Sequence, residues 1–131
     1  MQWLIDIIKE WIGLNAGYFF RGDISAWDFT LVDFVRDDNW HELDLSAIVP
    51  EGAKAVLLKV VVESVFEDKK FDLRAHGQIY NYNTCAIFTP KSSVRIGGVY
   101  LVPCDADRKI DYEAYSTGFT TINVIVVGWF L

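Results

Sequence analysis

From residue 26 onward, apolar and polar residues alternate in short runs separated by turn-forming residues. A period of two residues, interrupted by Gly, Pro, Asn or Asp, is typical of β-strands joined by short connections. The pattern predicts strands at residues 27–35, 39–45, 54–64, 71–75, 78–89, 97–103, 108–116 and 120–130. Short strands in succession, without helices between them, predict an all-β antiparallel β-sandwich of jelly-roll type.

The last predicted strand differs from the others because it is apolar at nearly every position. One face is predicted to carry Ile122, Val124, Val126 and Phe130, and the other to carry Ile125, Val127 and Trp129. In the strand before it, by contrast, apolar residues alternate with charged ones, which predicts one solvated face. A strand that is apolar on both faces is either central in a sheet or part of an interface.

The N-terminal residues show a different period. Leu4, Ile7, Ile8 and Trp11 follow helical spacing, which predicts a short amphipathic helix at residues 2–12. The chain therefore divides into a helix and linker at residues 1–20 and a sandwich domain at residues 21–131. The helix could cover an open end of the sandwich or contact other copies of the chain. A membrane-surface role is less favoured because its polar face is not basic.

The composition favours an oligomer. Hydrophobic residues make up 52% of the 131 residues and aromatic residues 15%, which is more than one small sandwich is expected to bury. We predict an interface in a homo-oligomer, formed by large apolar side chains near the two ends of the sequence: Trp3, Ile7, Trp11, Trp129 and Phe130.

The charge balance argues against nucleic-acid binding, and the residues at the two ends of the sequence argue against a signal peptide and a membrane-spanning helix. Twelve basic and 18 acidic residues give a net charge of −6, and an acidic surface repels phosphate backbones, so nucleic-acid binding is not expected. Charged residues interrupt the N-terminal apolar stretch, so we expect no signal peptide. The apolar C-terminal run is too short to span a membrane as a helix.

The sequence does not predict an enzyme, a metal site or a cofactor. It contains no nucleophile elbow, no Gly-rich phosphate loop and no matched Cys/His spacing. Cys85 and Cys104 are interpreted as free thiols, although a disulfide between them is possible if their strands bring them together. His41 is interpreted as an ordinary strand residue rather than an acid–base catalyst.

Two further motifs have simpler structural interpretations. Arg21-Gly22-Asp23 spells an adhesion tripeptide, but its position favours a linker turn. Oxygen-bearing side chains in two loops could bind calcium, although they equally suit turns: Asp37, Asp38, Asn39, Asp105 and Asp107.

The most interesting surface candidate is Tyr80-Asn81-Tyr82-Asn83. Flat aromatic rings and side-chain amides suit the recognition of a sugar or a protein. The alternative interpretation is an ordinary strand with half-buried Tyr residues. This run is our candidate ligand site, and host surface glycans are the candidate ligand.

Several segments also resemble a family. The stretch WHELDLSAIVPEGAKAV contains Trp40 and residues 43–46, 48–50 and 52–56, and a closing strand carries Gly128-Trp129. Together these resemble small β-sandwich domains of bacteriophage and viral virion proteins, over most of residues 21–131. The resemblance implies a non-enzymatic structural protein of a tail fibre, spike or capsid decoration. It further implies a homo-oligomer, often a trimer, located in the virion with other virion proteins after synthesis in the host cytoplasm.

Overall fold

The structure is a computed structural model that describes residues 1–5 and 17–131, and residues 2–5 are helical. Two four-stranded antiparallel sheets pack as a sandwich, which confirms the all-β prediction. The strands are β1 (Tyr18–Phe20), β2 (Trp40–Asp44), β3 (Ala55–Ser64), β4 (Lys70–Ala75), β5 (Cys85–Phe88), β6 (Ile96–Pro103), β7 (Lys109–Ala114) and β8 (Phe119–Phe130).

The strand order follows a nested pattern. Sheet A has the order β1-β8-β3-β6, and sheet B has the order β2-β7-β4-β5. Each early strand therefore pairs with the late strand at the matching distance from the other end: β1 with β8, β2 with β7, β3 with β6 and β4 with β5. Two more pairings, β3 with β8 and β4 with β7, join the nested pairs into the two sheets.

The core lies between the two sheets and follows from the alternation in the long strands. In β3, Val56, Leu58, Val60 and Val62 are buried, and the residues between them point outward. Sheet B contributes buried side chains that include Phe71, Leu73 and Ile110. Each such side chain contributes roughly 1.5–3 kcal/mol when it leaves water, so this interleaved layer is the main source of stability.

The predicted strand at residues 27–35 is wrong. Only Phe29 forms a bridge, to Val124 of β8, and Leu31–Asp33 is a 3-10 helix. The carboxylate of Asp33 accepts a hydrogen bond of 2.8 Å from the Thr30 N–H, so the local side chain favours a turn over a strand. A strand at Tyr18–Phe20, which sequence reasoning placed in the linker, pairs with β8 instead.

The predicted strand at residues 78–89 is too long, because only Cys85–Phe88 is a strand. The chain turns at residues 75–78, where the Ala75 N–H donates to the Gln78 side chain at 3.0 Å and Gly77 has a φ of 90°. Residues 79–84 therefore form a loop.

The face assignment of the last two aromatic residues of β8 is also wrong. A β-bulge shifts the register, since Leu57 pairs with Gly128 whereas Leu58 pairs with Val126. The extra residue reverses which face the following side chains occupy. Trp129 consequently packs against the core, and Phe130 lies on the other face.

Candidate functional site

The outward face of sheet B carries a connected network of charged side chains. Arg74 lies opposite Asp111 across the β4–β7 pair, with Nε 3.4 Å from Oδ2. Asp111 Oδ1 is 2.7 Å from Nδ1 of His76, and His76 Nε2 is 3.4 Å from a carboxylate oxygen of Glu42. Lys109 ends the network, with Nζ 3.4 Å from the other oxygen of Glu42.

Asp111 is the centre of this network because it is the buried member. It is 6% exposed, and its two oxygens contact Arg74 and His76. The hydrogen bond to Asp111 is the main cause that raises the pKa of His76. Burial of a carboxylate requires such partners, because an unpaired buried charge is costly. Arg74, Asp111 and His76 are thus held in fixed positions at the surface.

Arg74 also contacts the loop that contains the candidate ligand site, Tyr80-Asn81-Tyr82-Asn83. Its guanidinium carbon lies 3.9 Å from the centre of the Trp40 ring, which is a cation–π contact. Its Nη1 donates to Oδ1 of Asn81 at 2.9 Å. The loop is therefore tied to the charged network, and Tyr80 and Tyr82 on either side of Asn81 remain 69% and 97% exposed.

A second charged row lies beside the first. Asp72 is 3% exposed, and one of its oxygens is 3.0 Å from Lys70 Nζ. The same ammonium is 3.4 Å from Glu113, which lies opposite Asp72 in β7. The other oxygen of Asp72 has no hydrogen-bond partner among the described residues. Burial is the main cause that raises the pKa of Asp72.

The outward face of sheet A is apolar, in contrast to sheet B. Cross-strand neighbours on this face are Leu57 with Leu101, and Val61 with Gly97. Between these two rows lies Lys59, which has Val99 on one side and Ile125 on the other. We call this surface, formed by Leu57, Lys59, Val61, Val99, Leu101 and Ile125, the apolar face.

A groove lies at one side of the apolar face. Residues 22–27 form a loop whose two ends are fixed to β8, since Arg21 N–H donates to Val127 and Asp28 N–H to Val124. The ion pair between Arg21 and Asp28 closes the loop. The loop and sheet enclose a groove of about 410 Å³, lined by Phe20, Gly22, Ile24, Ser25, Ala26, Trp27, Lys59, Ile125, Val126 and Val127.

Within the Arg21-Gly22-Asp23 motif, Gly22 lines this groove and Asp23 is exposed. Arg21 has its guanidinium on Asp28, with Nη2 3.0 Å from Oδ1, and it also donates to the Val126 carbonyl. Gly22 has a φ of 97°, which a glycine adopts without strain. These contacts agree with the interpretation as a turn.

Three of the side chains weighed as calcium ligands already accept hydrogen bonds from backbone N–H groups. Asp37 accepts hydrogen bonds from the Asn39 N–H and lies 2.8 Å from His41, and this contact is the main cause that lowers the pKa of Asp37. Asp38 accepts from the Ser116 N–H, and Asp105 accepts from the Lys109 N–H. Among the described residues, no three potential ligands are grouped closely enough to hold a metal.

The two cysteines are free and lie in separate places. Cys85 Sγ is 3.7 Å from the Leu101 carbonyl, and Cys104 Sγ is 3.3 Å from the Ala53 carbonyl. Burial is the main cause that raises the pKa of both thiols. Both therefore favour the neutral thiol, which is the less reactive form.

The predicted interface residues have different environments. Trp3 is 67% exposed, and Ile7 and Trp11 lie outside the described residues. Trp129 and Phe130 are half-buried, because β1 lies beside them with Phe19 stacked on Trp129 at 5.1 Å and Tyr18 beside Phe130 at 5.0 Å.

Sequence reasoning missed both the charged network and Lys59. The alternation in residues 109–114 predicted a solvated face, but the cross-strand neighbours of Asp111 come from β2 and β4, which are distant in sequence. Lys59 is a single charged residue within an apolar run. Its presence was the one sign in the sequence that one face of this strand is open to solvent.

The fold and its surfaces define a small all-β sandwich domain with one charged outer face and one apolar outer face. No protein-family model matches the chain, and no curated protein sequence matches it. The comparisons thus add no support to the resemblance to virion domains. No helix in the described ranges, 1–5 and 17–131, has the length and apolar character needed to cross a bilayer.

Proposed function

We propose that this chain is a non-enzymatic viral structural protein that self-assembles at the virion surface, in a tail fibre, spike or capsid decoration. The observation that supports self-assembly is the apolar face, on which Val99 and Leu101 are 55% and 53% exposed. A contiguous apolar surface of this kind on a small domain favours burial against another protein.

The strand order supports the jelly-roll part of the proposal. A jelly roll is an eight-stranded double sheet, and nested antiparallel pairs such as β1–β8 and β2–β7 suit that arrangement. Jelly rolls occur in viral capsid domains and also in lectin domains. The virion setting itself rests on the resemblance of residues 40–56 and Gly128-Trp129 to virion sandwich domains.

Light scattering over a range of protein concentrations tests self-assembly. We expect a defined mass that is a multiple of 15.0 kDa, because burial of each large apolar side chain contributes roughly 1.5–3 kcal/mol. A variant that lacks residues 1–13 is expected to remain associated, since the apolar face belongs to the sandwich. A mass of 15.0 kDa for the full chain at every concentration would contradict the proposal.

A second candidate function is carbohydrate binding, at a host surface in the same virion setting. The observation that favours it is the loop at Tyr80-Asn81-Tyr82-Asn83, which carries two exposed rings and is fixed by Arg74. Exposed rings can stack on sugar faces, and the side-chain amides of Asn81 and Asn83 can form hydrogen bonds with hydroxyl groups. A fixed loop loses little entropy on binding.

A glycan array tests this second function. We expect the parent protein to bind a defined set of glycans, and the Tyr82→Ala and Tyr80→Ala variants to lose most of that binding. Phe88→Ala, which removes another exposed ring of sheet B, is the control and is expected to bind normally. Absence of any glycan signal from the parent protein counts against carbohydrate binding and leaves self-assembly unaffected.

A further inference from the structure

The charge at the centre of the apolar face restricts what can cover it. Lys59 is exposed, and no ion-pair or hydrogen-bond partner for its ammonium group exists among the described residues. Its neighbours across the strands are Val99 and Ile125, both apolar. A partner that covers this surface must therefore supply an anionic group, because an ammonium buried without a counter-charge is costly.

A symmetric contact does not satisfy this requirement. If two copies paired their apolar faces about a two-fold axis at Lys59, the two ammonium groups would meet and repel each other. A heterologous contact, in which the face of one copy meets a different surface of the next, avoids this repulsion. That second surface needs exposed apolar side chains next to an unpaired carboxylate.

The turn at residues 65–68 has these properties. Val65 and Phe66 are 46% and 53% exposed, and Glu67 and Asp68 are exposed beside them. No ion pair occupies the carboxylate of Glu67 within the described part of the chain. The carboxylate beside Val32 differs, because it already accepts a hydrogen bond from the Thr30 N–H.

The turn is also held in a fixed shape before any partner binds. The Phe66 N–H donates to Ser64 Oγ at 3.0 Å, and the Phe66 carbonyl accepts from Thr89 Oγ1 at 3.0 Å. The Asp68 N–H donates to the Thr89 carbonyl at 2.7 Å. A rigid turn of this kind loses little conformational entropy when it binds.

We propose that the apolar face of one copy receives the 65–68 turn of a second copy, with Phe66 in the groove beside Trp27 and Glu67 paired with Lys59. The groove of about 410 Å³ falls within the range of about 300–1,000 Å³ typical of ligand pockets, which leaves room for an aromatic ring. Repetition of such a contact forms a closed ring or a filament. This inference rests on the proposed self-assembly and specifies its interface.

A charge exchange tests the pairing. The Lys59→Glu and Glu67→Lys variants are each expected to weaken association by about tenfold or more, because each places like charges together. The double variant Lys59→Glu/Glu67→Lys restores opposite charges and is expected to associate within about threefold of the parent protein. The controls are Arg36→Glu and Glu51→Lys, which reverse exposed charges elsewhere and are expected to leave association unchanged.

The measurement is sedimentation velocity over a dilution series, with circular dichroism to check that each variant folds. Phe66→Ala is expected to weaken association, and Val32→Ala, which shortens another exposed side chain, is its control. An oligomer unaffected by either charge reversal would overturn this interface and leave self-assembly standing. Failure of the double variant to recover would overturn the Lys59–Glu67 pairing, whereas a monomeric parent protein would overturn both proposals.

Discussion

At the scale of single residues, the outer face of sheet B shows how strand pairing makes buried charge tolerable. Asp111 is almost fully buried, yet its oxygens meet Arg74 from the neighbouring strand and His76 from the turn that follows it. Asp72 has one partner, Lys70, and one oxygen without a partner among the described residues. Asp111 is consequently the better-satisfied of the two carboxylates.

His76 is expected to make stability depend on pH. Its folded-state pKa is raised, chiefly by the hydrogen bond to Asp111, so protonated His76 favours the folded state. This contribution is fully present below the unfolded pKa of about 6.5 and is lost as pH rises through the higher folded pKa. Removing the imidazole with His76→Gln should therefore lower stability more at pH 5.5 than at pH 8.5.

Urea unfolding of the parent protein and of His76→Gln at both pH values measures this difference. Glu42→Gln is the graded control, because Glu42 contacts the same ring at the longer distance of 3.4 Å, and its pH-dependent effect should be smaller. Equal losses for His76→Gln at the two pH values would show that protonation of His76 does not contribute to folding.

At the scale of elements, β8 joins the first strand, β1, to the rest of sheet A. It lies between β1 and β3, and its bulge brings Trp129 toward the core and Phe130 beside Tyr18. A side chain at Gly128 would collide with the Phe19 carbonyl oxygen and the Tyr18 ring. The absence of a side chain at this position is therefore what lets β1 approach β8.

Gly128→Ala is expected to destabilise the fold by about 1–3 kcal/mol, since the new methyl group must displace β1 or the Tyr18 ring. Gly97→Ala makes the same change on β6, where the methyl group would lie 3.1 Å from a Val61 methyl group and 3.2 Å from the Val60 carbonyl oxygen. The loss there should be smaller, because both distances are longer than the distance from the new methyl group to the Phe19 carbonyl oxygen at Gly128. Urea unfolding monitored by Trp fluorescence compares the two, and a loss no greater for Gly128→Ala would argue against a close β1–β8 contact.

At the scale of the whole molecule, the two sheets present surfaces of opposite character on one rigid sandwich. Sheet B carries charged side chains and the exposed Tyr80 and Tyr82, and sheet A carries the apolar face around Lys59. A domain of this kind can associate through one surface and leave the other free to bind a ligand. The two proposed functions are thus compatible in a single molecule.

The sequence by itself determined the all-β class and seven of the strands, because period-two alternation and turn residues are local properties of the chain. The alternation of apolar and charged residues in β7 could be read from a single segment, whereas β3 read only as an apolar run. The sequence also suggested Tyr80-Asn81-Tyr82-Asn83 as a ligand site, although it placed these residues in a strand and the fold places them in a loop.

Only the tertiary structure decided how these pieces meet. Strand register decides three features of the molecule. These are the contact of Asp111 with Arg74 and His76, the position of Lys59 between Val99 and Ile125, and the bulge that turns Trp129 inward. Register joins residues that are far apart in sequence, and a shift of one residue exchanges the two faces of a strand. The surfaces on which binding depends therefore become visible only when the sheets are assembled.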